Sequence, residues 1–457
     1  MKIHSLRLRH CYHFADLKID FKYHDKPITV ILGDQASGKT AIIKNIYQSL
    51  TWFSSRLKDM RTAGVVMLDS DIMRDKVQSK IEIQVEFNAE IGQLKESTST
   101  QETDLSLASW QLYKTLNTSG IGHSKVDADQ LEQLVHLYLK AIQQDPLQGL
   151  PMIAYFPSDR FVSEINLLSK NNPSVFLNHS AYELVAIPYT TFARFFEWFR
   201  EISDIENAQT AQLFQQILKD HNLKNEAEDG EKNDLQQTFS NHQPQLHSPC
   251  ILALKKSLNI IFPEITDLYL DYLPKLQLMV TYRDQAVPFQ QLSSSMRNWI
   301  ALVGDVVRRL CLLNPNSLYP SLEGEGVLLI DNIDTQLDQT MRQNILERLH
   351  QAFPQLQIIV TGQSEDLLEF ADTYQYLKLD HKMIHDVSLA EHRTNLNDIY
   401  QDLLHEISPS IDALIEPQAV PDAVQSTYEQ FQYLSPEQQH EFIQLIVGDD
   451  NISTKMI

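Results

Sequence analysis

The sequence predicts an α/β fold, a mixed sheet with helices packed on it, and three stretches carry that prediction. The apolar strand "ITVILGD" runs directly into a glycine-bearing loop and then a helix from Thr40 to Leu57. Two more apolar runs, "GVLLID" and "QIIVTG", are separated by a helical stretch from Thr340 to Phe353. Short buried strands alternating with helices are the pattern of an α/β domain.

Taken in order, residues 5–34 alternate apolar and polar side chains, with Lys26-Pro27 as a break, and read as two or three strands. "KIEIQVEF" (80–87) repeats the alternation and "WQLYKTL" (110–116) extends it. From Ala128 to Ile142, the residues Leu131, Leu134, Val135, Tyr138, Leu139 and Ile142 recur at the helical period. "LPMIAYFPSDR" (150–160) is a buried strand ending in a loop. Residues 191–221 are helical, and Phe192, Phe195, Phe196, Trp198 and Phe199 cover more than one helical face. That fits a helix–helix interface, within the protomer or between protomers. Residues 222–248 are polar, nearly without apolar period, and read as a flexible loop or linker. After them come the helix "ILALKKSLNIIF", the strands "LQLMVTYRD" and "VPFQ", and the helix "MRNWIALVGDVVRRLCLL". The chain from His381 onward reads as a short helical tail broken by Pro409, Pro417, Pro421 and Pro436.

Composition narrows the function classes. Of 457 residues, 43% are hydrophobic and 21% charged, a globular balance. No run approaches the roughly 20 apolar residues of a membrane span. The N-terminal stretch "MKIHSLRLRHCYHF" lacks the apolar centre of a secretory signal, so the expected location is cytoplasmic, away from membranes. Cys11, Cys250 and Cys311 are odd in number and far apart, which argues against a disulfide framework or a clustered metal site and for buried thiols. The net charge is −22, from 60 acidic and 38 basic residues, with no Lys/Arg run. Broad sequence-independent nucleic-acid binding needs cations against phosphates. Any DNA contact must therefore come from a local patch or a companion protein. The acidic surface serves either solubility or the docking of a basic partner.

"GDQASGKT" places Gly33, Asp34, Gln35, Ala36, Ser37, Gly38, Lys39 and Thr40 in the G-x-x-x-x-G-K-[ST] pattern. The glycines let the backbone wrap an anion, and the loop and helix N–H groups point at the phosphates. Lys39 then reaches the β and γ groups, and Thr40 offers a hydroxyl to Mg²⁺. "VLLIDNID" carries Asp331 to a strand end, where it would hold Mg²⁺ directly or through water. A nucleoside triphosphate and Mg²⁺ are the implied ligands.

The order of these blocks resembles the ABC/SMC-type ATPases with split heads, RecF-like proteins among them. More narrowly it resembles the ATPases of bacterial phage-defence operons, such as the PtuA family of Septu and retron-linked systems. The likeness covers most of residues 1–400 and is carried by "ILGDQASGKTAII", "DSDIMRD" (69–75), "LPMIAYFPSDR", "FFEWFREISDIEN", "LSSSMRNWIALVGDVVRRL", the stretch from "LLIDNIDTQLDQT" to "IIVTGQS", and "HRTNLNDIY" (392–400). It implies an ABC-type P-loop ATPase head with a helical insertion and a short helical C-terminal tail. The lobes would be residues 1–165 with the P-loop and 249–380 with the signature-like and metal-binding segments. The insertion and its loop would span 166–248 and the tail, a candidate docking segment, 381–457.

Carried over residue by residue, the resemblance makes Leu292 to Met296 the signature segment that reaches across a head-to-head dimer to a partner's γ-phosphate. Ser293 keeps its hydroxyl there. Three positions depart from the family. Ser295 stands where a glycine is usual, which loosens a close backbone approach to phosphate. Asn332 stands at the general-base glutamate, and an amide cannot take a proton. Gln363 stands at the switch histidine and can donate a hydrogen bond without relaying a proton. General-base assistance contributes about 10²–10⁴-fold. The set suggests a site that binds nucleotide and turns it over slowly or not at all.

The resemblance further implies a homodimer or a higher oligomer built on it, an HNH-type nuclease partner, and, in a retron-linked system, a reverse transcriptase with its msDNA. The chain shows no H-N-H cluster and no acidic D-x-D set of its own. The tail and residues 190–248 are the candidate docking segments, with packing on the head as the plain alternative. The expected role is an ATP-binding scaffold and sensor that holds a separate effector. The rival is an active repair-type ATPase that clamps DNA, and a third reading is a nuclease of the overcoming-lysogenisation type, which would need a longer, metal-binding C-terminal domain.

Overall fold

The uninterrupted apolar runs and the alternating runs of the sequence go to different sheets. In the computed structural model, which describes residues 1–22, 25–94, 106–117, 120–162, 178–182, 189–190, 192–225, 248–368, 373–380 and 382–387, the first half holds β1 (Lys2–Cys11), β2 (Phe14–Asp20), β3 (Ile28–Gly33), α1 (Lys39–Lys58), β4 (Gln78–Glu86), β5 (Leu107–Leu116), β6 (Gly122–Asp127), α2 (Asp129–Gln144) and β7 (Met152–Phe156). Then come β8 (Asp159–Arg160), β9 (Tyr189–Thr190), α3 (Ala193–Asn225), α4 (Pro249–Ile261), β10 (Ile265–Asp271), β11 (Gln277–Tyr282), β12 (Gln285–Pro288), α5 (Ser294–Leu313) and the short α6 (Pro320–Glu323). The last described elements are β13 (Gly326–Ile330), α7 (Gln339–Ala352), β14 (Leu356–Gly362), β15 (Gln375–Asp380) and β16 (Met383–Asp386). All belong to one unit, Met1–Leu389.

β3, β13 and β14 are buried along nearly their whole length, because both faces of the sheet they form are covered. That sheet has six strands in the order β16-β15-β3-β14-β13-β7. All neighbours in it are parallel except β16, which pairs antiparallel with β15. Strands from both expected lobes therefore share one sheet. The alternating stretches instead form an antiparallel sheet, β2-β1-β4-β5-β6, with one face buried. Helix α1 packs against strands of both sheets and against α2, and is buried almost all round, including Asn45, Gln48, Ser49 and Thr51. Buried glutamines stitch the sheets together: the Gln357 side chain accepts from the Ile3 amide at 2.6 Å and donates back to the Ile3 carbonyl at 3.1 Å.

The aromatic helix packs within the protomer. Phe192, Phe195, Phe196, Trp198 and Phe199 are all buried, and α3 lies on α5. Gly304 makes that approach feasible, since a Cβ there would come within 2.2 Å of the Phe195 ring. Several expected bounds shift: α3 runs on to Asn225, and β6, β10 and β15 are strands the sequence pattern did not reveal. The helical tail expected from 381 does not begin there, because Met383–Asp386 is the edge strand of the six-stranded sheet. The polar linker at 226–247, the tail from 388 and the "HRTNLNDIY" segment lie outside the described residues. The three cysteines are free, Cys11 and Cys311 buried and Cys250 half-buried. Though far apart in sequence, Cys250 on α4 and Cys311 on α5 lie close enough to influence each other's ionisation. No helix among the described residues is long and apolar enough to cross a membrane.

Candidate functional site

β3, β14 and β13 end side by side at their C-terminal edge, and the sequence motifs sit on those ends. Gly33 closes β3, Asp34 to Ser37 form the loop, Gly38 caps α1, and Lys39 and Thr40 open it. Both glycines are required by their surroundings. A Cβ on Gly33 would meet the Leu379 carbonyl at 2.5 Å. Gly38 has φ 107°, and a Cβ there would run into the His13 ring at 2.4 Å. No side chain caps the α1 N-terminus and no acid lies in its first turn. Its N–H groups are left to meet an anion.

Lys39 is buried and turns back onto the loop, donating to the carbonyls of Gly33 and Asp34, the latter at 2.7 Å. Burial pulls its ammonium below the ordinary lysine range, while Asp331, Asp334 and Asp34 pull it back up. The Thr40 hydroxyl donates to Oδ2 of Asp331 at 2.9 Å, and Thr361 donates to Oδ1. A hydroxyl and a fully buried carboxylate in contact are hard oxygen donors of the kind Mg²⁺ takes, so Thr40 and Asp331 would hold a magnesium ion, which would supply charge neutralisation for a phosphate.

Gln35, Ala36, Ser37, Gly38, Lys39, Thr40, Asn332 and Gln363 all line one cavity of about 510 Å³. Four further residues on it were not legible as site residues: Tyr12, His13, Ala41 and Lys44. His13 Nε2 lies 2.9 Å from the Ser37 carbonyl, bracing the loop from β2's side. Lys44 lies over the Tyr12 ring, 5.9 Å from its centroid, and donates to the Tyr12 hydroxyl. The chain is acidic overall, yet this cavity carries two lysines.

Asn332 adopts φ 47°, left-handed backbone, with its N–H donated to Thr361 Oγ1 at 2.9 Å. Asn is enriched in that conformation whereas a residue such as Glu pays about 1–2 kcal/mol for it. The amide at this position thus agrees with the local backbone. Arg160 holds that backbone from behind. Its guanidinium donates to the carbonyls of Pro157, Asp331 and Asn332 at 2.9, 2.6 and 2.9 Å. Burial brings its pKa down to about 10, with Asp331 and Asp334 opposing, so it stays charged at neutral pH. The signal for it was present in "PSDR" just after a buried strand, but an arginine in a polar loop reads as surface.

Asp334 ties Gln363 into the same wall, its Oδ2 accepting the amides of Gln363 and Ser364, each at 2.7 Å. Ser293 and Ser295, of the expected signature segment, are elsewhere in the single chain. Ser293 caps α5, accepting from the Met296 amide at 3.2 Å, and Ser295 donates to the Gln336 carbonyl. Neither lines the cavity. Asn298, further along α5, donates to the carbonyl of Arg160 and to Gln336 Oε1 at 3.2 and 3.1 Å, linking that segment to the Asn332 wall.

Set beside known proteins, the chain is 24% identical over 402 residues to the "Retron Ec83 probable ATPase" of Escherichia coli, covering 82% of this chain and 70% of that protein. It is 23% identical over 377 residues to the "Retron Vc95 probable ATPase" of Vibrio cholerae serotype O1 biovar El Tor, covering 76% and 68%. Among solved structures, the SMC head bound to the C-winged helix domain of ScpA aligns over 86% of this chain and 100% of its own, at 13% identity and a TM-score of 0.45. The family described as AAA domain matches residues 5–247. With that match over more than half of its length and the P-loop head described above, the chain belongs to the AAA domain family of ATPases.

Proposed function

We propose that this protein is the ATP-binding scaffold and sensor of a retron-linked anti-phage complex, gripping Mg-ATP and hydrolysing it slowly, and holding a separate HNH-type nuclease. The observation that carries the reading is the left-handed Asn332 beside an intact cradle: the phosphate loop, Lys39 and the Thr40–Asp331 pair are in place, and the residue where a base would stand is an amide. A ligand held this way shifts an equilibrium between two states by its differential affinity for them, without being consumed. The names of the two relatives support the retron setting. Dimerisation through the Ser293–Ser295 segment, the PtuA likeness and the reverse-transcriptase partner belong to the same proposal, as does the division into lobes, insertion and docking tail. DNA-stimulated hydrolysis would instead favour the repair-type reading.

Nucleotide titration beside a phosphate-release assay tests it on wild type, Lys39→Ala and Asn332→Glu. Wild type binds and releases phosphate slowly, Lys39→Ala loses binding, and Asn332→Glu gains turnover at some cost in stability. Brisk wild-type turnover, with or without DNA, overturns the sensor role.

A further inference from the structure

At the opposite edge of the six-stranded sheet, before β7 and β13 begin, lies a second cavity of about 240 Å³. Four carboxylates line it: Glu90, Asp145, Glu323 and Glu325. No Lys, Arg or His lines it among the described residues. Two helices end on it. Asp145 is the C-cap of α2 and Asn314 the C-cap of α5, and neither helix has a basic residue in its last turn. Helix C-termini carry partial negative charge that basic side chains ordinarily offset. Here carboxylates stand beside them instead.

The cavity also receives a buried polar atom with nothing to bond. Tyr138 is 1% exposed, its ring set edge-on against Phe53 with centroids 5.3 Å apart, and its hydroxyl has no hydrogen-bond partner among the described residues. Tyr138 lines the cavity together with Glu325. A buried tyrosine hydroxyl ordinarily finds a partner.

The carboxylates have only partial local satisfaction. Asn88 donates to Glu90 at 3.2 Å, the Leu147 amide to Asp145 at 2.8 Å, and the Ser317 hydroxyl to Glu323. The amino group of Met1 reaches Glu325 at 2.9 Å and is the one cation in contact with the four among the described residues. The space therefore keeps an excess of negative charge. Beside it, exposed apolar side chains cluster: Leu147 on the lining, and Leu318, Tyr319 and Leu322 in the segment between Ser317 and Glu323.

We infer that this cavity is a docking site for an arginine side chain of a partner protein, with apolar residues flanking that arginine. The choice of cation follows from the geometry. No group of three metal-ligating side chains converges among the described residues, so the acceptors are too dispersed for one small ion. A guanidinium presents five donors in a plane and meets dispersed acceptors that a point charge would not. Tyr138 accepts one of those donors, and the exposed leucines bury against the flanking side chains. The site lies away from the nucleotide cavity and shares no lining residue with it, so the inference stands apart from the ATP reading.

The test is fluorescence anisotropy of dye-labelled acetyl-Leu-Arg-Leu-amide with the full chain, against the same peptide carrying neutral citrulline in place of arginine. The arginine peptide binds at least about tenfold tighter, the scale of one charged hydrogen bond. Glu90→Gln with Glu325→Gln removes that preference, and Tyr138→Phe weakens it several-fold. Both variants keep the melting behaviour and nucleotide affinity of wild type within about twofold, which separates a lost site from a lost fold. No binding at millimolar peptide, equal binding of the two peptides, or variants that bind as wild type would each overturn the inference.

Discussion

The two walls of the nucleotide cavity are built by different physics. The cradle wall is backbone: two glycines that admit no Cβ, an αL turn at Gly38 and an uncapped helix N-terminus. The opposite wall is a buried side-chain network in which Arg160, Asp331, Thr361, Asn298 and Asp334 hold one another and set the position of Asn332 and Gln363. Backbone geometry leaves a sequence signature of fixed spacing. A network assembled from distant segments leaves almost none.

The largest expected effect lies further along α5, the helix that carries Asn298. In α5, burial pushes the Asp305 carboxyl up, but Arg308 and Arg309, each 2.8 Å away, outweigh it and hold the pKa at about 2. Asp305→Asn strands two buried guanidinium groups and costs about 3–5 kcal/mol, read from urea unfolding. A carboxyl whose folded pKa is depressed contributes stability that is present above its ordinary value near 3.8 and lost as pH falls through about 2. Acid unfolding of wild type between those values is therefore blunted in Asp305→Asn.

Arg160→Met leaves three buried carbonyls without their donor and costs about 3 kcal/mol in the same assay. It also frees the backbone at Asn332, so nucleotide affinity falls with the cradle sequence untouched. Gly38→Ala attacks the other wall. With φ 107° and His13 in the way, it costs about 1–2 kcal/mol of strain and weakens ATP binding about tenfold by calorimetry. The smallest effect separates backbone from side chain at one position: Asn332→Ala costs about 1 kcal/mol where Asn332→Gly costs almost none. Equal melting temperatures for those two would deny the left-handed conformation a role.

The same division explains what the sequence disclosed. "ITVILGDQASGKT" announced a strand, a phosphate loop and a helix because local pattern alone builds them. Asp331 was legible from its place at the end of four apolar residues. Arg160, Tyr12, His13 and Asp334 were not, since each acquires its role only when the turn between β1 and β2, from the antiparallel sheet, is brought against the strand ends of the six-stranded sheet. β15 and β16 escaped for a related reason: short strands at the margin of a sheet take their order from the neighbour they pair with, and "QYLKLD" has no turn chemistry of its own to mark it. The aromatic face of α3 left two interfaces open, and Gly304 decides for the one within the chain.

One comparison bears most directly on the claim that this pocket holds a triphosphate without an effective base: steady-state phosphate release at saturating Mg-ATP by wild type and by Asn332→Asp. Aspartate tolerates the left-handed backbone that glutamate resists, so it returns a carboxylate to that loop at little cost. The account predicts tight binding by both, with release from wild type far below the roughly 1–10³ s⁻¹ of ordinary enzymes and release from Asn332→Asp faster by up to about 10²-fold. Wild type turning over at ordinary rates, with Asn332→Asp no faster, would contradict it.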